Sequence, residues 1–251
     1  MKKIIFIAFV FCLLPISLKA QKAEKIFKEA AVYYDSGNYQ RAIPLFEKCI
    51  EKKYYCDGDI FAWINESYKA LGDSNKGMEY VVKGYELFPN NINLLFELSV
   101  HYLDNEDYSA ALKYAESAIT INQSNALLYL IKGRCHLNLG EESKGISAFK
   151  YCAKVDPTYE WGYVDIAIHY YNKCVEFGEI NDDNRLDIED TILNSYESAE
   201  KAFNITKEIS VKMQMADMLK NLSNELKHCD DSYEEKYEYY KKYFDAGGMV
   251  M

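Results

Sequence analysis

The feature that most constrains this chain is that it repeats itself. Four stretches follow one another at offsets of 35, 34 and 34 residues. They are SGNYQRAIPLFEKCIEKKY from Ser36, LGDSNKGMEYVVKGYELFP from Leu71, NEDYSAALKYAESAITINQ from Asn105 and LGEESKGISAFKYCAKVDP from Leu139. A polar turn pair recurs as Gly37-Asn38, Gly72-Asp73, Glu106-Asp107 and Gly140-Glu141. Small residues return at Ala42, Gly77, Ala111 and Gly145, and again at Cys49, Gly84, Ala118 and Cys152. Upstream of each turn stands an aromatic column, Tyr33, Tyr68, Tyr102, His136 and Tyr170. Before it lie the mostly small positions Ala30, Asn65, Ser99, Gly133 and Ala167, and a turn earlier Ile26, Phe61, Leu95, Tyr129 and Tyr163.

This pattern describes a helical hairpin. Apolar residues spaced by three and four make one face of a helix. Glycine beside aspartate or asparagine ends one helix in a left-handed turn and caps the next. Small residues at fixed points let two backbones cross closely, and Pro89 and Pro157 close two of the units, since proline has no donor to continue a helix. A hairpin of this kind has an apolar face that it cannot cover alone, so the units must stack.

With a period of 34 and these residue types, the chain resembles the tetratricopeptide repeat. The match covers four regular units, about residues 23–56, 57–91, 92–125 and 126–159, and the first helix of a fifth at 160–172. The resemblance implies an all-α, right-handed superhelical solenoid of about five to six antiparallel hairpins in one continuous architecture. The fifth unit, 160–208, is irregular: an acidic loop at 176–190 precedes a helix whose expected face is Leu193, Tyr196, Ala199 and Phe203. Residues 209–246 read as a degenerate sixth hairpin capping the stack. Its helices carry Met218, Leu219, Leu222 and Leu226, then Tyr233, Tyr237, Tyr240 and Phe244, around a worn turn at Asp230-Asp231-Ser232.

Residues 1–20 read as a secretory signal peptide. Lys2 and Lys3 give a positive start, Ile4 to Leu18 is mostly apolar, and Leu18-Lys19-Ala20 offers a cleavage site after Ala20. The run is shorter than the roughly 20 apolar residues that span a bilayer. The expected mature chain, 21–251, is exported to the periplasm, the cell envelope or the medium, with no membrane span. The leader holds three lysines and no acid, so the remainder carries 26 basic against 39 acidic residues, a balance of −13. An acidic chain repels phosphate backbones, which argues against nucleic acid as a partner. Cys49, Cys56, Cys135, Cys152, Cys174 and Cys229 permit disulfides in an exported chain, but no pairing follows from spacing alone.

The resemblance implies that first helices line a concave groove. In phase with the repeats, its residues are Phe27 and Tyr34; Ala62 and Glu66; Phe96, Val100 and Leu103; Leu127, Leu130, Arg134 and Leu137; and Trp161, Val164, Ile168 and Tyr171. From the third unit on this row is apolar, with Arg134 its one cation, whereas family members that grip acidic C-terminal peptides carry several. An apolar stripe of this length calls for a cover. Either a protein or peptide partner docks there, with Phe96, Leu130, Trp161 and Tyr171 as anchors, or the chain's own tyrosine-rich last helix fills it. A rival reading has the tyrosines and Trp161 stacking on envelope glycans or another small ligand.

No enzyme, cofactor or metal is expected. His101, His136 and His169 recur with the repeat near Cys135, but no two ligands share a helix face at i, i+4, so each reads as a packed histidine with one hydrogen bond. Asp182, Asp183, Asp187 and Asp190 lack the glycine and terminal glutamate of a calcium loop. Cys49 and Cys152 occupy small packing positions, and no nucleophile–base pair or phosphate loop is present.

Overall fold

Each hairpin begins with the turn pair. The computed structural model describes residues 21–176, 185–227 and 230–248. In the first four hairpins the second turn residue donates its backbone N–H to the carbonyl of the aromatic column: Asn38 to Tyr33 (2.8 Å), Asp73 to Tyr68 (2.9 Å), Asp107 to Tyr102 (2.9 Å) and Glu141 to His136 (2.8 Å). The first turn residue is left-handed, with φ of +74° at Gly37, +84° at Gly72 and +76° at Gly140. Glu106 adopts +60° in the same slot without the freedom of glycine. Asp73 and Asp107 then cap the following helix by accepting from the N–H of Lys76 and of Ala110.

The helices are α1 (21–35), α2 (Tyr39–Glu51), α3 (Asp59–Ala70), α4 (Ser74–Leu87), α5 (Ile92–Asp104), α6 (Tyr108–Ile121), α7 (Ala126–Asn138), α8 (Glu142–Val155), α9 (Trp161–Glu176), α10 (Arg185–Ile205), α11 (Ile209–Leu226) and α12 (Ser232–Asp245). Among the described residues there is no strand. Consecutive helices pair as six hairpins, as the repeat predicts. The single offset of 35 has a local cause. A turn after α2 puts Lys53, Cys56 and Asp57 at φ of +58°, +48° and +54° and ends on Gly58, whose missing Cβ makes room for Phe88.

The chain divides into two compact units, Met1–Ile121 and Asn122–Met251. In the first, Phe46, Ile60, Phe61, Ile64, Val81, Leu94 and Leu98 form a core around the fully buried small residues Ala30, Ala42 and Cys49. Close approach is built in: a Cβ on Gly84 would lie 2.7 Å from the Phe61 side chain. The second unit has two cores. One joins α7, α8 and α9 through Leu130, Ile146, Phe149, Cys152 and Ile166. The other joins α9 to α12 through Val164, Tyr196, Phe203, Met215, Leu219 and Tyr240.

Two expectations for the fifth unit need correction. Helix α9 runs on to Glu176 and α10 already begins at Arg185, so Asp187 and Asp190 lie on the helix, not in a loop spanning 176–190. An acid in a first helical turn suits the positive end of the helix dipole, which favours this earlier start. The buried face of α10 is Ile188, Ile192, Tyr196, Ala199 and Phe203, while Leu193 is exposed. The proposed leader, Asp182, Asp183 and Cys229 lie outside the described residues. Helix α12 packs on α10 and α11: Tyr233 and Tyr240 meet Tyr196, and Tyr240 and Tyr243 meet Phe203. Tyr233, Tyr240 and Tyr243 are thus engaged at the end of the second unit, while Tyr239 is exposed.

Candidate functional site

In the first unit the row of expected groove positions begins with an aromatic group. Phe27 on α1 lies 5.5 Å from the Trp63 ring on α3, and Trp63 also packs on Phe46 at 5.9 Å and Tyr34 at 6.3 Å. Phe27, Tyr34 and Trp63 are all half-buried, whereas Ala62, the expected groove position, is buried. Sequence phase therefore missed Trp63 by one residue. The signal was its spacing of three before Glu66, which places both on one face of α3.

Beside these rings sits a charged network. The Tyr34 hydroxyl donates to Glu66. Glu97 on α5 is almost fully buried and accepts Asn65 Nδ2 and Lys69 Nζ, both at 2.8 Å. Partial burial, then the charge of Glu97, hold the Glu66 carboxyl above the ordinary value of 4.5. Along α5, Phe96, Val100 and Leu103 are spaced i, i+4, i+7 on one side. All three are half-buried, and none is part of the first unit's hydrophobic core.

In the second unit the row divides by depth. Leu130 and Val164 are sealed in the two cores, so neither offers a surface to a partner, contrary to their reading as groove positions. Leu127, Leu137, Trp161, Ile168 and Tyr171 are half-buried and pack on those cores. Arg134, read as the one cation of the apolar part of the groove, is held by Asp165. A cavity of about 300 Å³ opens beside that pair, lined by Leu137, Asn138, Phe149, Ile168, His169 and Asn172. The Tyr171 hydroxyl accepts from Asn221 of α11 at 3.4 Å.

The histidines each find a neighbour. His136 is buried, 2.6 Å from Glu141; His169 lies 3.1 Å from Glu142, and His101 stacks edge-on to Tyr102. Among the described residues no group of three histidine, cysteine or acidic side chains converges as a metal site. Burial pushes the Cys49, Cys135 and Cys174 thiols up to about 11 and Cys152 to about 12, so none is an activated thiolate. No helix of the described residues is long and apolar enough to cross a membrane.

Comparison with known proteins agrees with this architecture. The family described as Tetratricopeptide repeat matches residues 26–51. The Hsp70-Hsp90 organizing protein of Triticum aestivum is 26% identical over 176 residues, covering 67% of this chain and 29% of that protein. BBSome complex member BBS4 of Mus musculus is 24% identical over 132 residues, covering 53% of this chain and 25% of that protein. The chain thus spans less than a third of the length of these curated relatives. Among solved structures, a MamA protein superposes with a TM-score of 0.57 at 18% identity over 72% of this chain and 94% of its own. A second MamA structure gives 0.55 at 18% identity, over 68% and 93%. With the recurring turn bonds, the small crossing positions and the paired hairpins, these likenesses give the chain the fold of a tetratricopeptide-repeat solenoid.

Proposed function

We propose that this protein is a non-catalytic scaffold that binds a segment of another protein on its inner helix faces, and that it does so after export, with residues 1–20 removed. One observation carries the binding reading: Phe96, Val100 and Leu103 form an apolar stripe on α5 that belongs to no hydrophobic core of its unit. Covering such a stripe is favourable at roughly 25 cal/mol per Å² of apolar surface. The relatives named for organizing Hsp70 and Hsp90 and for membership of a complex support a scaffold role. The charged start and apolar run of residues 4–18 support export to the periplasm or cell envelope.

The glycan reading has less support. Trp161, its intended stacking ring, packs against both cores of the second unit.

Photo-crosslinking in the native cells tests the binding role. A benzoylphenylalanine at position 96 or 103 is expected to capture a protein partner, and one at the exposed Val82 on α4 is not. Equal capture at all three positions, or capture at 82 alone, overturns the inner-face reading. For export, N-terminal sequencing of the native protein is expected to begin at Gln21; a start at Met1 rejects cleavage.

A further inference from the structure

Between α1 and α3 of the first unit, a carboxylate stands beside aromatic rings. Glu66 is exposed on α3, one helical turn after Trp63. Its carboxylate accepts the Tyr34 hydroxyl, and among the described residues no lysine or arginine lies within ion-pair distance of it. The neighbouring cation, Lys69, is bound instead to Glu97 at 2.8 Å. Phe27, Tyr34 and Trp63 pack together at 5.5–6.3 Å and stay half-buried. Aromatic faces carry negative potential and attract cations within about 6 Å of the ring.

Resting on the scaffold reading above, we infer that Phe27, Tyr34, Trp63 and Glu66 form a notch that takes a lysine or arginine side chain of the bound protein segment. The guest's alkyl stem lies on the rings, and its cationic head meets Glu66, which Tyr34 orients. The match is one of charge. The notch presents an acid that makes no ion pair among the described residues, its neighbour Lys69 being held by Glu97, in a chain of net charge −10. Desolvation and Glu97 hold the Glu66 carboxyl high, and the charge of a bound cation opposes both effects. An acidic guest meets the Glu66 carboxylate and is repelled.

The test is selection of a displayed library of random twelve-residue peptides on the full-length chain, its E66Q variant and E79Q as a control. Glu79 is exposed on α4, so E79Q removes the same charge elsewhere. The expected result is enrichment of lysine or arginine at one position among apolar residues, kept by E79Q and lost by E66Q. In a Trp161→Phe background Trp63 is the remaining tryptophan, and its fluorescence is expected to shift when a selected peptide binds. Replacing that peptide's basic residue by norleucine is expected to weaken binding about tenfold in the parent and little in E66Q. Basic enrichment that survives E66Q, or an equally tight norleucine peptide, overturns the notch. Apolar peptides selected with no basic preference overturn the notch and leave the scaffold reading intact. A library that yields no binder overturns both.

Discussion

Arg134 on α7 and Asp165 on α9 are joined by two parallel hydrogen bonds, Nε to Oδ2 at 2.6 Å and Nη2 to Oδ1 at 3.1 Å. The fork ties the first helices of two consecutive hairpins, and Asp165 keeps only 13% of its side chain exposed. Truncating Arg134 to Ala strands that carboxylate and is expected to destabilise the chain by about 2 kcal/mol, within the range for an unsatisfied charged group. A double-mutant cycle with Asp165→Ala is expected to return a coupling of about 1–2 kcal/mol in denaturant titrations followed by circular dichroism. Additive effects of the two changes contradict a structural role for the pair.

The turn of the third hairpin departs from the others in one residue. Glu106 holds φ of +60° where the first, second and fourth turns use glycine. A side chain in that region costs roughly 1–2 kcal/mol, against which glycine loses backbone entropy on folding. Glu106→Gly is therefore expected to stabilise by about 0.5–1 kcal/mol, read as a higher denaturation midpoint. A lower midpoint rejects the turn argument.

Much of this architecture is legible in the residues, and the limits are physical. The turn pairs and the aromatic column recur because the first four hairpins use the same backbone bond, such as Asp73 to Tyr68 and Asp107 to Tyr102. Depth within a hairpin is another matter. Phase puts Leu130 and Phe96 on corresponding helix faces, but Gly133 lets the Phe149 ring come against α7 and Leu130 joins that core, while Phe96 stays outside the core of its unit. Pairings such as Arg134 with Asp165, or Phe27 with Trp63, depend on how neighbouring hairpins stack, and a repeat pattern carries no record of the partner. Trp63 escaped notice because repeat phase selects Ala62 as the counterpart of Phe27.

The close crossings give a third prediction. A methyl added at Gly133 would lie 2.3 Å from the fully buried Phe149 ring, so the ring or the helix crossing must shift. Gly133→Ala is expected to destabilise by roughly 1–3 kcal/mol, as overpacking in a closed core does. This opposes the small gain that alanine ordinarily brings to a helix interior. A Gly133→Ala chain as stable as the parent contradicts the crossing at this position.

Acid sensitivity follows from two half-buried ion-pair groups. Glu141 is held below the ordinary 4.5, first by its bond from Lys144 and then by His136; Glu142 is held low by Lys173 and then His169. The unfolded chain binds protons at these sites at a higher pH than the folded chain does. Their contribution is fully present above about pH 4.5 and is lost as the pH falls through the lower folded values. Glu66 works in the opposite sense, since its folded value is raised and protonation relieves it. Urea midpoints of the parent and Glu142→Gln are expected to differ at pH 7 and to converge in acid, once the pH has fallen through the lowered folded value. A difference that persists unchanged into acid rejects the assignment.

The last prediction concerns what α12 covers. Tyr240 is 5% exposed, and it donates its hydroxyl to Glu200 at 3.1 Å, the same carboxylate that accepts Tyr196 at 3.0 Å. Its ring meets Phe203 edge-on at 5.4 Å. Removing α12 by a stop after Asp231 uncovers Tyr196, Phe203 and the faces of α11 that meet them. The truncated chain is expected to bind a hydrophobic dye and to melt earlier. Tyr240→Phe keeps the ring and loses only the hydroxyl bond to a charged acceptor, so it is expected to cost about 1–2 kcal/mol. If α12 instead served as a displaceable filler of a binding groove, the truncation would leave the melting temperature unchanged and raise affinity for a peptide selected on the full chain. The shared carboxylate argues for the first outcome, because two tyrosines and Lys236 converge on Glu200 and give α12 one fixed seat.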